Sequence, residues 1–233
     1  MVTQTESGTL LVNDVEYNEY PPPRQLRKAM KRRWANEIIQ NGTIRVRKLE
    51  YYRQWENDLL GDPKDGFGLY HLAGHPVQTD TVNDVYAWCL SLPEISDEHL
   101  RAIAAQGKYN CTILVHSMDI LFTRIRAYLQ QYNKCFWMHC GVVKYNRGED
   151  VDKETLNSQK HHFNVFQKAT RFKEDKEYRI SIVNCTFKKS DKNYLDIVIG
   201  NCSDIITIQP LPNKSQADRS PLGSSGSALR WRK

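Results

Sequence analysis

The segment from Phe163 to Val183 gathers Lys168, Arg171, Glu174, Glu177 and Arg179 with Phe163, Phe166 and Phe172, ahead of an apolar run. Side chains alternate along an extended chain, so Tyr178, Ile180 and Ile182 take one face while Glu177, Arg179 and Ser181 take the other. A carboxylate and a guanidinium then point the same way, beside aromatic rings. A carboxylate fixed on a strand suits reactions that build positive charge at a sugar carbon, because it stabilises that charge and bonds sugar hydroxyls. Glu177 is therefore the candidate functional residue of this segment. The competing reading is an edge strand whose charges face water and pair with each other.

Other residue sets suggest other chemistry. Glu56, Asp58, Asp62 and Asp65 cluster in the turn-rich stretch Trp55 to Gly68, and clustered carboxylates are what a metal-dependent nuclease needs. They share one loop instead of several strands, which favours a structural role. Arg24, Arg27, Lys28, Lys31, Arg32 and Arg33 fall within ten residues and raise the local concentration of anions, so nucleic acid or a phosphate-bearing ligand is expected there. A non-catalytic nucleic-acid-binding module is the third reading. Few aromatics interleave with this run, unlike a single-strand stacking platform. Cys135, His139 and Cys140 with His161 and His162 lack the two-residue spacing of zinc sites, so no metal is expected. No Gly-x-Ser-x-Gly elbow and no phosphate-cradling Gly-rich loop occurs in the chain.

The elements that must position these groups follow from periodicity. Leu10, Leu11, Val12, Val15 and Tyr17 form a strand-like run that ends at Pro21-Pro22-Pro23. Leu26, Met30, Trp34, Ile38 and Ile39 recur at helical spacing, so an amphipathic helix with an outward basic face is expected over 24–40, stopped by Asn41-Gly42. Residues 43–52 alternate as a half-buried strand, with Ile44 and Val46 opposite Arg45 and Arg47. Strands are expected over 85–92, 109–116, 136–145, 177–186, 194–199 and 205–208. Helices are expected over 97–106, capped by Ser96, and over 118–132. Strands outnumber helices without regular alternation, which argues for an α+β fold with a mixed or antiparallel sheet. One domain over 1–208 is expected, followed by a flexible tail over 209–233 rich in Pro, Gly and Ser.

The order of these features resembles the ADP-ribosyltransferase-like superfamily, and within it a bacterial group with an aromatic, then Lys, then Glu-x-x-Glu-[Tyr/Trp]-Arg signature. Glu174-Asp175-Lys176-Glu177-Tyr178-Arg179 matches that signature, Gly42-Thr43-Ile44-Arg45 matches its Gly-Thr-x-Arg strand, and Gly61-Asp62-Pro63-Lys64-Asp65-Gly66 its Asp-Pro loop. The resemblance spans about 10–208 and implies a split, mostly antiparallel sheet with flanking helices that grips NAD as a substrate. It also implies a toxin or anti-phage defence effector that modifies nucleic acid or protein and is controlled by a neutralising antitoxin. Glu177 takes the catalytic role, and Trp88-Cys89-Leu90-Ser91 matches the middle strand. The first-strand Arg or His has no plain counterpart at Tyr20, so Arg45, Arg47 or Arg53 stands in for it.

Under that resemblance Arg53 or Arg179 supplies a fork for the diphosphate, Tyr52, Trp88 or Phe172 stacks on nicotinamide, and Ser91 bonds its amide or a ribose hydroxyl. Arg24, Arg27, Lys28, Lys31 and Arg32 would contact a nucleic-acid acceptor.

The 233 residues carry 33 Lys and Arg against 27 Asp and Glu, a net charge of +6, and are 40% apolar. That is enough for a real core and too ordered a composition for a disordered chain. Met1 to Gly8 is polar and no apolar run approaches the roughly 20 residues of a membrane span, so a soluble cytoplasmic protein with no membrane partner is expected. The six cysteines are dispersed, as expected for reduced, partly buried thiols.

Overall fold

Alternating apolar and polar residues over short stretches make strands the dominant element. The structure, a computed structural model, describes residues 2–4, 10–54, 61–79, 84–132, 135–150, 153, 161–186 and 190–212. The chain runs through β1 (Val2–Gln4), β2 (Leu10–Val12), β3 (Val15–Tyr17), β4 (Leu26–Met30), α1 (Arg32–Asn41), β5 (Thr43–Lys48), α2 (Leu49–Arg53), β6 (Gly68–Leu72) and β7 (His75–Thr79). It continues through β8 (Val85–Ser91), α3 (Asp97–Gly107), β9 (Cys111–Val115), α4 (Met118–Gln130), β10 (Phe136–Val142) and β11 (Glu149–Asp150). Two 3₁₀ helices (His161–Phe166 and Thr170–Asp175) lead into β12 (Glu177–Asn184), and β13 (Tyr194–Val198) and β14 (Ile206–Gln209) follow. This is an α+β arrangement on a mostly antiparallel sheet, in which β3 with β10 and β6 with β11 are parallel pairs. Among the described residues no helix is long and apolar enough to cross a membrane.

The main sheet has the order β1-β2-β3-β10-β12-β8-β4-β9-β14, with β5 and β13 attached as a branch at β8. One edge of β8 pairs along its length with β12. Its other edge is shared: Ser91 pairs with Arg27 of β4, whereas Ala87 and Tyr86 pair with Arg47 and Lys48 of β5. The sheet therefore forks between Ala87 and Ser91. A strand edge left open inside a protein must have its carbonyls satisfied by other donors. Here the Lys28 ammonium donates to the Cys89 carbonyl at 2.5 Å and the Tyr52 hydroxyl to that of Ala87 at 3.4 Å.

The helix expected over 24–40 is corrected in its first half, because residues 26–30 are β4, hydrogen-bonded in register with β9 from Leu26–Val115 to Met30–Cys111. Leu26, Met30, Trp34 and Ile38 are all four apart. That spacing is an even number, so it suits a strand face, and it lies close to one helical turn, so it suits a helix face as well. The uniform outward basic face therefore does not exist. Helix α1 ends as expected at Gly42, whose φ of 67° is left-handed and whose N–H bonds the Ile38 carbonyl. The strand expected over 43–52 ends at Lys48, and Tyr51, Tyr52 and Arg53 belong to α2.

Helices α3 and α4 form where expected, and the Ser96 hydroxyl caps α3 by accepting from the His99 N–H at 3.1 Å. The β6–β7 hairpin has weak sequence signals, because Ala73 takes positive φ in its turn and Pro76 sits inside β7. One core cluster joins residues from Val12 to Ile206, and α4 buries Met118, Leu121, Phe122, Ile125 and Leu129 in it. Strand β12 lies between β10 and β8 with every residue buried, so it is not an edge strand. The expected tail from 213 onward, and Glu56 and Asp58, lie outside the described residues.

Candidate active site

A cavity of about 580 Å³ opens beside the fork, walled by β4, β5 and β8 and by the start of β12. Tyr52, Trp88, Ser91, Glu177 and Arg179 all reach its wall. Register explains part of this, since Glu177 lies opposite Ser91 and Arg179 opposite Cys89. The alternation read from the sequence holds, with Tyr178, Ile180 and Ile182 in the apolar core and Glu177 and Arg179 on the opposite, polar side.

Glu177 is the centre of a buried charge network. The Arg179 Nε donates to its Oε1 at 2.6 Å and an Arg179 terminal nitrogen to its Oε2 at 3.2 Å. Lys168 lies 2.7 Å from the same Oε2 and also donates to Asp175 at 3.1 Å. His99 Nε2 meets the other oxygen of Asp175 at 2.9 Å. On the far side Arg179 grips Asp65 with bonds of 2.7 and 3.0 Å and donates to the Val165 carbonyl at 2.5 Å. A guanidinium has five N–H donors, and these five bonds use them all.

The protonation states follow from this geometry. Burial by itself pushes the Glu177 carboxyl up, but Arg179 and then Lys168 outweigh it and hold the group well below the ordinary carboxylate range. Burial pushes the Lys168 ammonium down, yet Glu177 and Asp175 raise it above its usual value. Glu177 is thus an anion locked in place and not a proton donor at neutral pH. The Cys89 thiol, near Glu177, is pushed up to about 12 by burial and then by that carboxylate. It is a weak donor and not a thiolate nucleophile.

The remaining cations divide into occupied and unoccupied ones. Arg45 forms two bonds of 2.7 Å to Asp196, and Arg27 donates to Asp97 at 3.0 Å. Arg53 donates to the Asp65 carbonyl at 2.5 Å and stacks on Phe67, outside the cavity wall. Phe172 is buried beneath Lys168 and Arg171, also outside that wall. Of the residues expected to hold a diphosphate or nicotinamide, Arg53 and Phe172 therefore lie off the cavity wall, whereas Arg179 reaches it. Arg179 has no donor to spare, and the other two are packed elsewhere.

Two cations on the wall keep donors for a ligand. Arg47 stacks on Tyr51 at 4.1 Å and has no hydrogen bond or acidic partner among the described residues. Lys28 uses one of its three donors on Cys89, and burial lowers its pKa. Tyr109 lies near Arg47, its hydroxyl raised first by burial and influenced by Tyr51, Arg47 and Cys89. Arg47, Lys28 and Tyr109 were not separable from other basic and aromatic residues by sequence, because what sets them apart is their place on the cavity wall. Lys168, Asp175 and Asp65 were likewise missed as neighbours of Glu177. The only sequence signal was the spacing of Lys168 before Asp175 and Glu177.

The two described acids of the acidic loop, Asp62 and Asp65, are both engaged by arginines. Asp62 takes two bonds of 2.8 Å from Arg147, and Asp65 is held by Arg179. Among the described residues no group of three or more His, Cys, Asp or Glu side chains is arranged to hold a metal ion. His139 is buried against Glu16 and Cys140 is buried in the core, while the side chains of His161 and His162 lie outside the described residues. Of the basic run, Arg24 is exposed before β4, Arg27 and Lys28 reach the cavity from β4, and Lys31 and Arg32 begin α1. No family model, no curated protein and no solved structure matches the chain.

Proposed function

We propose that the protein is an NAD-dependent ADP-ribosyltransferase with Glu177 as its catalytic carboxylate, built on the split antiparallel sheet of that superfamily. The observation that carries this reading is an anion clamped on the wall of a cavity whose cations Arg47 and Lys28, without an acidic partner among the described residues, suit a diphosphate. The fork of the sheet at β8 agrees with it. A cavity of about 580 Å³ is also within the roughly 300–1,000 Å³ range of small-molecule sites.

In this reading Arg179 and Lys168 are positioning residues. They hold Glu177 ionised and oriented, so that its charge is in place before the nicotinamide–ribose bond breaks. Glu177 accepts a ribose hydroxyl and stabilises the positive charge that develops on the sugar. Arg47 and Lys28 hold phosphate oxygens, Tyr52 and Trp88 offer rings to the nicotinamide, and Ser91 offers a hydroxyl across the strand from Glu177. The role as a toxin or anti-phage effector rests on the sequence resemblance.

The test is transfer of label from NAD carrying labelled phosphate to macromolecules of a bacterial extract, followed by separate protease and nuclease digestion. Glu177→Gln keeps the size and one acceptor oxygen for Arg179. It is expected to lower transfer by about a hundredfold or more while NAD still binds in a calorimetric titration. Absence of both NAD binding and NAD consumption by the folded wild type would refute the reading.

A further inference from the structure

Trp34 is the exposed aromatic side chain on the wall of the Glu177 cavity. Its relative exposure is 43%, although a tryptophan is among the costliest residues to leave in water. The Lys31 ammonium lies 5.2 Å from its ring centroid and the Arg33 guanidinium 5.3 Å. Neither has an acidic partner among the described residues, and neither does Arg32 between them. All three cations sit at the start of α1, where the helix dipole already repels positive charge, and the first turn of α1 contains no acid. Their placement works against the free protein and would be relieved by a polyanion.

An indole flanked by cations offers two kinds of contact at once. The ring stacks on a base, which any unpaired nucleobase permits, and the cations on either side meet the phosphates before and after it. A duplex keeps its bases stacked on each other, so it gives only the phosphate contacts. An acidic polypeptide gives only charge pairing and leaves the indole uncovered. We propose that Lys31, Arg33 and Trp34 form a docking point for single-stranded nucleic acid, which presents an unstacked base to the cavity of Glu177. This inference rests on the transferase reading for its purpose, since it names the acceptor as a single strand, but the docking itself does not depend on NAD.

The experiment is fluorescence anisotropy of the full chain with labelled single strands of about 12 nucleotides, within the site sizes of single-strand binders. A duplex of the same length and poly-glutamate serve as competitors. Single strands are expected to bind most tightly. Trp34→Ala should weaken binding by at least about fivefold, the lower end of base-stacking contributions, and Trp34→Phe should restore most of it. Lys31→Ala and Arg33→Ala should each flatten the dependence of log affinity on log salt by about 0.7. Arg33 is exposed, so its variant tests the proposal even if Trp34→Ala melts early. Equal binding by Trp34→Ala and wild type, or by duplex and single strand, would overturn the proposal. Full competition by poly-glutamate would overturn it in favour of an acidic protein partner. The separate NAD titration reports on the transferase reading, so either idea can fail alone.

Discussion

Replacing Arg179 by Met keeps much of the aliphatic stem and removes the guanidinium that holds two buried carboxylates. Glu177 then retains Lys168 alone, and Asp65 loses the bonds at 2.7 and 3.0 Å. Removing one partner of a buried ion pair costs about 3–5 kcal/mol, because the remaining charge stays out of water. Against a total stability of about 5–15 kcal/mol this is a large loss. With a urea m-value of about 3 kcal/mol/M, the midpoint should fall by roughly 1–2 M. The pH dependence tests the cause. The wild-type Glu177 carboxyl is held below its unfolded value of about 4.3. The wild type therefore has the full contribution above that pH and loses it as pH falls through the lower folded value. In Arg179→Met the burial that raises Glu177 is opposed chiefly by Lys168. Its folded value rises, and the acid-side loss shrinks or reverses. Urea titrations at pH 4, 5 and 7 measure both effects. A drop smaller than about 1 kcal/mol at pH 7, or an acid slope equal to that of the wild type, would refute the argument that Arg179 stabilises Glu177 as a buried anion.

Three further outcomes follow from individual contacts. Arg47→Ala should weaken NAD binding about tenfold or more in calorimetry, the loss of a charge-assisted bond, and unchanged affinity would remove Arg47 from the phosphate site. Cys89, with its thiol pushed up to about 12, should react with iodoacetamide at pH 8 at least about a hundredfold more slowly than free cysteine; labelling as fast as free cysteine, read by peptide mass spectrometry, would contradict the suppression of its thiolate by burial and by Glu177. Gly42→Ala places a Cβ 1.9 Å from the Gly200 carbonyl oxygen at a φ of 67°. It should cost about 2 kcal/mol or more, seen as a fall of several degrees in the thermal midpoint, and an unaltered midpoint would mean that the Gly42–Gly200 approach is not tight.

The sequence by itself determined what local chemistry can fix. Alternation along 177–183 separated the apolar face of β12 from the face bearing Glu177 and Arg179, since strand side chains alternate whatever surrounds them. Ser96 and Gly42 marked helix ends because a cap needs only its own turn. Local pattern was ambiguous at Leu26 to Met30, where a spacing of four fits strand and helix alike, and only hydrogen bonds to β9, some 85 residues away, decided for the strand. The site divided along the same line. Glu177 was legible from its strand, and Trp88 and Ser91 were named by the resemblance of theirs. Lys168, Asp175 and Asp65 became its partners only when distant segments converged. Arg53, Arg179 and Arg47 are alike as residues in a sequence. Folding packed the first on Phe67, used all five donors of the second, and left the third on the cavity wall without a hydrogen-bond partner among the described residues. Which arginine can bind a ligand is a question of donors left over, and that is set by tertiary contacts alone.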